Sequence, residues 1–280
     1  MYNKFLIVAC KKNLAGINIT TNLSQFRDNP VLSAMKSDTT PTFDFYLTEE
    51  EALYNENLDL DRINKYDFII FAYTHKSEKG DKSLCIHAPG SWRNADLGGE
   101  PRKVSPTSAL FQKFMFEKLN ENMKKFHLDD KYKLTLEATH HGPLIEKPCL
   151  FIEIGSTENE WRDRKAGFVI AKTISDSIKQ FKKNKYNEVA IAIGGPHYCP
   201  NFNKLQLKSN VAISHVIPNY VAPITEEMIQ EALDKTEEEV DYAIVDWKGL
   251  GTADKRDEVI SILEKMYVRW KKTSDVGKHD

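Results

Sequence analysis

Nine strand-length apolar runs, separated by segments of helical period, constrain this 280-residue chain more than any other feature. They fall at residues 4–9, 43–47, 66–72, 84–87, 132–137, 149–154, 188–193, 210–217 and 241–245. The first is unbroken from Phe5 to Ala9, the pattern of a strand covered on both faces. Between the runs lie amphipathic segments. Residues 107–126 repeat Leu110, Phe111, Phe114, Met115, Lys118 and Leu119 at spacings of three and four, with Ser105-Pro106-Thr107 as the start signal. Residues 160–184 carry Ala166, Ile170, Thr173, Ile174, Ser177, Ile178 and Phe181 as one inward stripe. Thr225 caps a third helix whose first turn holds Glu226 and Glu227, and a fourth spans 253–271 on Val259, Ile262, Leu263, Met266 and Trp270. Strands alternating with helices predict an α/β fold: a mixed, mostly parallel sheet flanked by helices, with a second packed α/β lobe. The domain expectation is one compact unit over 1–280, built as two intertwined lobes, with residues 274–280 as a frayed tail. Residues 76–103 are the least regular stretch, and long irregular loops in compact proteins are often functional.

Composition excludes several classes. No apolar stretch approaches the roughly 18 residues of a membrane span, so no membrane association and a cytoplasmic location are expected. Four widely spaced cysteines, Cys10, Cys85, Cys149 and Cys199, form no Cys-x-x-Cys pair, which indicates neither a disulfide framework nor a cysteine-based zinc site. A net charge of −2 argues against broad affinity for nucleic acid. One local basic stretch stands out: Arg162, Arg164, Lys165, Lys172, Lys179, Lys182, Lys183 and Lys185 face only Asp163 and Asp176. It reads as a solvated helix face or as a surface that meets phosphates.

Chemistry concentrates in two runs that follow strand candidates and turn on Gly and Pro: Leu136-Glu137-Ala138-Thr139-His140-His141-Gly142-Pro143 and Ile193-Gly194-Gly195-Pro196-His197-Tyr198-Cys199-Pro200. Imidazole is the commonest transition-metal ligand and titrates nearest neutrality, so a metal or acid–base site is expected. His140 and His141 are adjacent; in extended backbone their side chains point to opposite faces, so one ligates while the other positions substrate or serves a neighbouring ion. Glu137 can join them if the chain turns after Ala138. His87 also ends a strand, whereas His215, inside one, reads as packing. Glu153 is an acid in an otherwise buried strand and needs a partner: an imidazole, a metal or an Arg. For any single histidine the plain alternative is a packed, structural ring. Imidazole and carboxylate ligands without thiolates match catalytic zinc sites. A Gly-x-Ser-x-Gly elbow, a His-Glu-x-x-His helix, a P-loop and a Rossmann glycine fingerprint are all absent, and nothing near Cys199 signals thiolate activation.

At these residues the chain resembles the archaeal and plant type of D-aminoacyl-tRNA deacylase. The likeness is carried by Glu137 to Pro143, by Ile152-Glu153-Ile154-Gly155-Ser156-Thr157-Glu158 with Trp161, by Gly194 to Tyr198, and by Ser214-His215 with Pro218 and Tyr220. Ser37-Asp38-Thr39, His87 to Ser91, Gly98-Gly99 and Asp246 to Leu250 extend it over nearly the whole chain. The resemblance implies hydrolysis of the ester that joins a D-amino acid to the 3′ adenosine of tRNA, releasing free tRNA and the D-amino acid. It further implies a phosphorylase or peptidyl-tRNA hydrolase-like fold, two zinc ions per subunit and D-aminoacyl-tRNA as the partner, with no obligatory protein partner. The site expected on that basis draws its metal ligands from His87, His140, His141, Glu153 and His197, and its catalytic groups from His140, His141, Glu137 and His197. Arg162, Arg164, Lys165, Lys182 and Lys183 are the candidate tRNA contacts, and backbone near Gly194 and Gly195 forms the wall that excludes an L side chain. Water is activated either at the metal or by the neighbouring ribose hydroxyl. The competing readings are a metal-dependent amidohydrolase or peptidase acting on a small molecule, and a noncatalytic RNA-binding module.

Overall fold

A computed structural model describes residues 2–27, 41–77, 79–182 and 185–277. Ser37-Asp38-Thr39, Lys183 and the last three residues of the expected tail lie outside the described residues. All nine predicted strands form: β1 Lys4–Cys10, β2 Thr42–Thr48, β3 Phe68–Lys76, β4 Ser83–His87, β7 Lys133–Leu136, β8 Cys149–Ser156, β9 Glu188–Ile193, β10 Val211–Ile217 and β11 Tyr242–Val245. A short ribbon of β5 Gly90–Ser91 and β6 Lys103–Val104 brackets the irregular stretch, and β12 Trp270–Lys272 has no counterpart among the expected runs.

The strands make two main sheets. The larger runs β2-β1-β3-β8-β4-β7, in which β8 and β4 pair antiparallel and every other neighbouring pair is parallel. The smaller runs β10-β9-β11-β12, parallel throughout. This is the expected mixed, mostly parallel α/β architecture with a second lobe. Strand alternation sorts the larger sheet's side chains into two faces. Phe5, Ile7, Ile70, Ala72, Leu150 and Ile152 point to a core covered by helices Leu14–Leu23, Ala109–Lys125 and Arg164–Gln180, and this core continues to Ala190, Ala192, Ile213 and Ile244 of the smaller sheet. Leu6, Val8, Ile69, Phe71, Cys149 and Phe151 point the other way.

Three helix predictions are corrected. The segment 160–184 is two helices, Glu158–Trp161 and Arg164–Gln180, because the Asp163 side chain accepts from Lys165 N and Ala166 N and opens a new helix. The segment 107–126 starts at Ala109 with Ser108 as its N-cap, since Thr107 is committed to the Cys149 carbonyl. The segment 253–271 ends at Lys265: Tyr267 turns at φ 57°, and Trp270–Lys272 then pairs with β11. Trp270 falls at a helical spacing, but strand pairing along the edge of the sheet overrides it. Helices Leu14–Leu23 and Pro200–Lys208 add to the four predicted ones; the second is capped at its C-terminal end by buried Lys113, whose Nζ donates to the Gln206 and Ser209 carbonyls at 2.6 and 2.9 Å.

Candidate active site

The second face of the larger sheet changes from apolar to polar along its length. In β3 the alternation Ile69, Phe71, Tyr73 ends in His75; in β8 Cys149 and Phe151 lead to Glu153; in β4 Cys85 leads to His87. The register sets Glu153 between Tyr73 and Cys85, and Glu137, held beside β4 by its N–H to the Ile86 carbonyl at 3.1 Å, extends the row. After Glu137 the chain crosses to the smaller sheet: Ala138 N–H donates to the His197 carbonyl (2.8 Å) and Thr139 N–H to the Val216 carbonyl (3.1 Å). Those acceptors lie at the carboxyl ends of the parallel strands, where such sheets place ligands. The turn there needs glycine: Gly194 and Gly195 have φ of 97° and 79°, and a Cβ on them would meet Leu250 and the Asp246 carboxylate. It presents His197 to the larger sheet's polar row.

Four imidazoles converge. Ring centroids are 4.2 Å apart for His87 and His140, 4.3 Å for His140 and His141, 4.5 Å for His140 and His197, and 4.8 Å for His87 and His141. This corrects the expectation that His140 and His141 point apart. His141 has φ 43°, so the segment is not extended there, and both rings turn into one cluster.

Hydrogen bonds fix the tautomers. Nδ1 of His87, His140 and His141 lies 3.2, 2.8 and 2.7 Å from the carbonyls of Ala88, Ala138 and Gly142. A carbonyl only accepts, so each Nδ1 carries the proton and each Nε2 presents a lone pair to the cluster. Burial favours the neutral form of His87, His140 and His197. It lowers His87, drives His140 well below the ordinary range with help from its neighbouring imidazoles, and pushes His197 down to about 4.

What these lone pairs face is carboxylate. Nε2 of His87 and of His141 stands 3.4 and 3.8 Å from Glu153 Oε1, while Nε2 of His140 and of His197 stands 4.0 and 3.7 Å from the two oxygens of Glu137. Neither Glu137 oxygen accepts a well-aligned hydrogen bond, the nearest ring nitrogen being His75 Nδ1 at 3.1 Å from Oε1. Acceptors set against acceptors in a buried space are the arrangement that a cation resolves. Candidate ligand atoms lie within 4.8 Å of one another in four groups: His87, His140 and His141; Glu137, His140 and His197; His87, Glu137 and Glu153; and His75, Cys85 and Glu137. The donor set therefore fits a metal ion.

The two acids differ. Burial opposes ionisation of Glu153, and imidazoles that donate to it bring it well below the usual carboxylate range; with Nε2 of His87 and His141 unprotonated, the ring placed to donate is His75, whose Nδ1 is 3.6 Å away. Its expected need for a partner is thus met. Glu137 is pushed up to about 8 by burial and by the charge of Glu153.

His75 is a site residue outside the set expected from the sequence, because the apolar run stops at Ala72 while the strand continues to Lys76. The signal for it is the alternation itself, which carries on through Tyr73 to His75. Nδ1 of His75 stands 3.1 Å from Glu137 and 3.6 Å from Glu153, and its Nε2 is 3.2 Å from the Tyr198 hydroxyl. Burial alone would depress it, but the two acids raise it. Tyr198 and Tyr220 also join the site without having been expected there; the Tyr220 hydroxyl lies 3.1 Å from His197 Nδ1. His215 is a packed ring, as expected: it is fully buried between Thr139 Oγ1 and the Lys235 carbonyl, at 3.3 and 3.2 Å. All four cysteines are buried, and burial raises the Cys199 thiol, which leaves no thiolate nucleophile there.

The basic stretch does not join this cluster. Helix Arg164–Gln180 packs on the opposite face of the sheet, through Ala166, Val169, Ile170 and Ile174. Arg162, Arg164, Lys165 and Lys182 are exposed, Arg162 pairing with Glu158 at 2.8 Å. The start of the helix lies closest to the site, since the preceding Trp161 donates its indole N–H to the His75 carbonyl at 3.0 Å. Seventeen residues at about 1.5 Å each put Lys182 roughly 25 Å further on.

A cleft of about 310 Å³ opens over His140 and His141, bounded by Trp92, Arg93, Leu97 and Tyr220. Its loop is pinned by Arg93, which donates to the Val221 and Pro223 carbonyls at 2.6 and 3.0 Å.

Comparison with known proteins gives the family and the fold. A family model described as D-aminoacyl-tRNA deacylase matches residues 62–271. A D-aminoacyl-tRNA deacylase of Methanocaldococcus jannaschii is 32% identical over 276 residues, covering 96% of this chain and 99% of the relative. One from Archaeoglobus fulgidus is 34% identical over 258 residues, 90% of each chain, and one from Pyrococcus furiosus is 40% identical over 208 residues, 72% of this chain and 74% of the relative. Among solved structures, the crystal structure of a conserved protein of unknown function, AF0625, superposes with a TM-score of 0.85 at 30% identity, covering 98% of this chain and 96% of that one.

Proposed function

The chain belongs to the D-aminoacyl-tRNA deacylase family, and from that premise we propose how its histidine and carboxylate cluster hydrolyses the ester of D-aminoacyl-tRNA. The products are free tRNA and the D-amino acid. The observation that carries the reading is the convergence of His87, His140, His141 and His197 on two buried acids, one of which has no well-aligned hydrogen bond to either oxygen. A small-molecule amidohydrolase or a noncatalytic RNA module is not favoured, because the deacylase relatives match along nearly their full length.

Zinc is the ion we assign to the cluster, held by His87, His140 and His141, with Glu137, Glu153 and His197 as the further ligands. The group of His75, Cys85 and Glu137 shares no residue with the three-histidine group, which leaves room for two ions per subunit. Zinc bound there supplies Lewis acidity and brings the pKa of water to about 7.

The protein's own groups do the rest. Carbonyl contacts hold His87, His140 and His141 in single tautomers, so no reorganisation is needed when substrate arrives. Glu137 is placed to exchange a proton with His75, whose Nδ1 is 3.1 Å away and whose Nε2 is 3.2 Å from the Tyr198 hydroxyl, so these three groups are the relay we assign. Backbone near Gly194 and Gly195 is the wall we assign to excluding an L side chain by sterics. Exposed Arg162, Arg164, Lys165 and Lys182, with Lys183, are assigned to tRNA phosphates away from the ester. No helix among the described residues is long and apolar enough to cross a membrane. The cytoplasm, where charged tRNA is used, is the assigned location.

The test is hydrolysis of matched D- and L-tyrosyl-tRNA across a salt series. D-tyrosyl-tRNA is expected to turn over and the L form to be spared. KM should rise steeply with salt as phosphate contacts release counterions, and less steeply when Arg162 and Arg164 are both changed to Gln. Absence of D-specific turnover at every salt concentration overturns the reading.

A further inference from the structure

Two of the six exposed large hydrophobic side chains among the described residues, Leu97 and Tyr220, line the cleft that opens over His140 and His141. Each is 55% exposed. An aromatic ring left this open forgoes burial, yet everything around it is held still. Asn219, the residue before it, donates its N–H to the Gly195 carbonyl at 3.0 Å and its side-chain amide to the Gly249 carbonyl at 2.8 Å. Val221, the residue after it, receives the Arg93 guanidinium. Leu97 is anchored too, its carbonyl accepting from Gly142 N at 3.0 Å. The ring is therefore a fixed, exposed, flat surface that borders the cleft while its hydroxyl reaches His197.

Resting on the deacylase reading, we infer that this cleft is the subsite for the terminal nucleoside of tRNA, with the base stacked on the Tyr220 ring and covered by Leu97. The volume, about 310 Å³, is at the small end of ligand cavities, of the order of one nucleoside and too small for folded RNA. The ester is carried on the ribose attached to that base. A base on Tyr220 thus delivers the reacting carbonyl to His140 and His141, which line the same cleft. Arg93, Asn94 and Asp96 on the rim supply polar groups for the base edge and ribose. Tyr220 serves twice: its ring binds, and its hydroxyl orients the His197 imidazole.

The experiment is a double-substitution cycle on kcat/KM at fixed ionic strength. Wild-type protein and the Tyr220→Leu variant are each assayed on D-tyrosyl-tRNA with an intact terminal adenosine and with an abasic terminal ribose. Base stacking predicts that wild type loses about 10- to 100-fold when the base is removed. Measured against Tyr220→Phe, which lacks the same hydroxyl, Tyr220→Leu should lose a similar factor on intact substrate and little more on the abasic one. Tyr220→Phe, which keeps the ring, should keep KM and lower kcat. Losses that multiply independently, or a Tyr220→Leu effect that disappears when D-alanyl-tRNA replaces D-tyrosyl-tRNA, overturn the subsite; the latter would assign the cleft to the amino-acid side chain. If wild type fails on intact D-tyrosyl-tRNA, the deacylase reading itself falls.

Discussion

His140→Ala is expected to lower kcat/KM on D-tyrosyl-tRNA by about 1000-fold or more, the scale of losing a group that stabilises developing charge in a water-poor site. His140 is the centre of the cluster. Its ring touches those of His87, His141 and His197, and it belongs to two of the four candidate ligand groups. The fold should tolerate the change. The lost hydrogen bond, from Nδ1 to the Ala138 carbonyl, is worth about 1 kcal/mol, and removing one of several crowded imidazoles relieves repulsion among them. His215→Ala is the informative contrast. That ring is packed between Thr139 and the Lys235 carbonyl, so its loss should cost about 1–3 kcal/mol of stability and affect turnover far less. Urea unfolding and steady-state kinetics on the two variants check the pair. Equal effects on turnover would mean that His140 is structural.

Glu137→Gln is expected to abolish activity and, with metal removed, to make the protein more stable above neutral pH. Glu137 is fully buried, accepts no well-aligned hydrogen bond and is pushed up to about 8 by burial and by Glu153. A carboxyl whose folded pKa lies above its unfolded value binds its proton more tightly in the fold. Its favourable contribution is complete below about pH 4.5 and is lost as pH rises towards 8. An amide carries no charge to bury. Wild type and variant should therefore be similarly stable near pH 5, with the variant ahead by a few kcal/mol at pH 8 in chelator. Added zinc should narrow or reverse the gap, because it stabilises wild type more than a variant that has lost one ligand. Comparing the two proteins removes the opposing effect of His197, whose pKa, depressed to about 4, favours the fold as pH rises. Denaturant unfolding at both pH values, with and without zinc, reads this directly. A variant less stable than chelated wild type at pH 8 contradicts the assignment. The pattern is the trade expected at a site whose function depends on an unfavourable buried charge.

Much of this architecture is legible in the amino-acid order alone. Apolar runs of strand length mark all nine predicted strands, and the two Gly-Pro turns name Glu137, His140, His141 and His197 of the cluster. His87 is marked by its place at a strand end, and Glu153 by the cost of an unpartnered acid in an apolar strand. The differences have local reasons. Bounding β3 at its last aliphatic residue hides His75, although period-two alternation runs through it. Separating His140 from His141 assumes extended backbone, and a single left-handed residue cancels that assumption. Trp270 shows the converse, a residue at helical spacing captured by strand pairing. The basic stretch is recognisable as one face of a helix. Periodicity, however, says which side of a helix is wet and not which face of a sheet the helix covers, so its distance from the site cannot be read from spacing.

The most direct measurement of the central claim is hydrolysis of D- and L-tyrosyl-tRNA by protein of known metal content, before chelation, after it, and after zinc is restored. D-specific hydrolysis that tracks bound zinc, vanishes with the metal and returns with it is the predicted result. Full D-specific activity in protein verified as metal-free would contradict it, leaving the deacylase function intact but removing the ion from the centre of the histidine cluster.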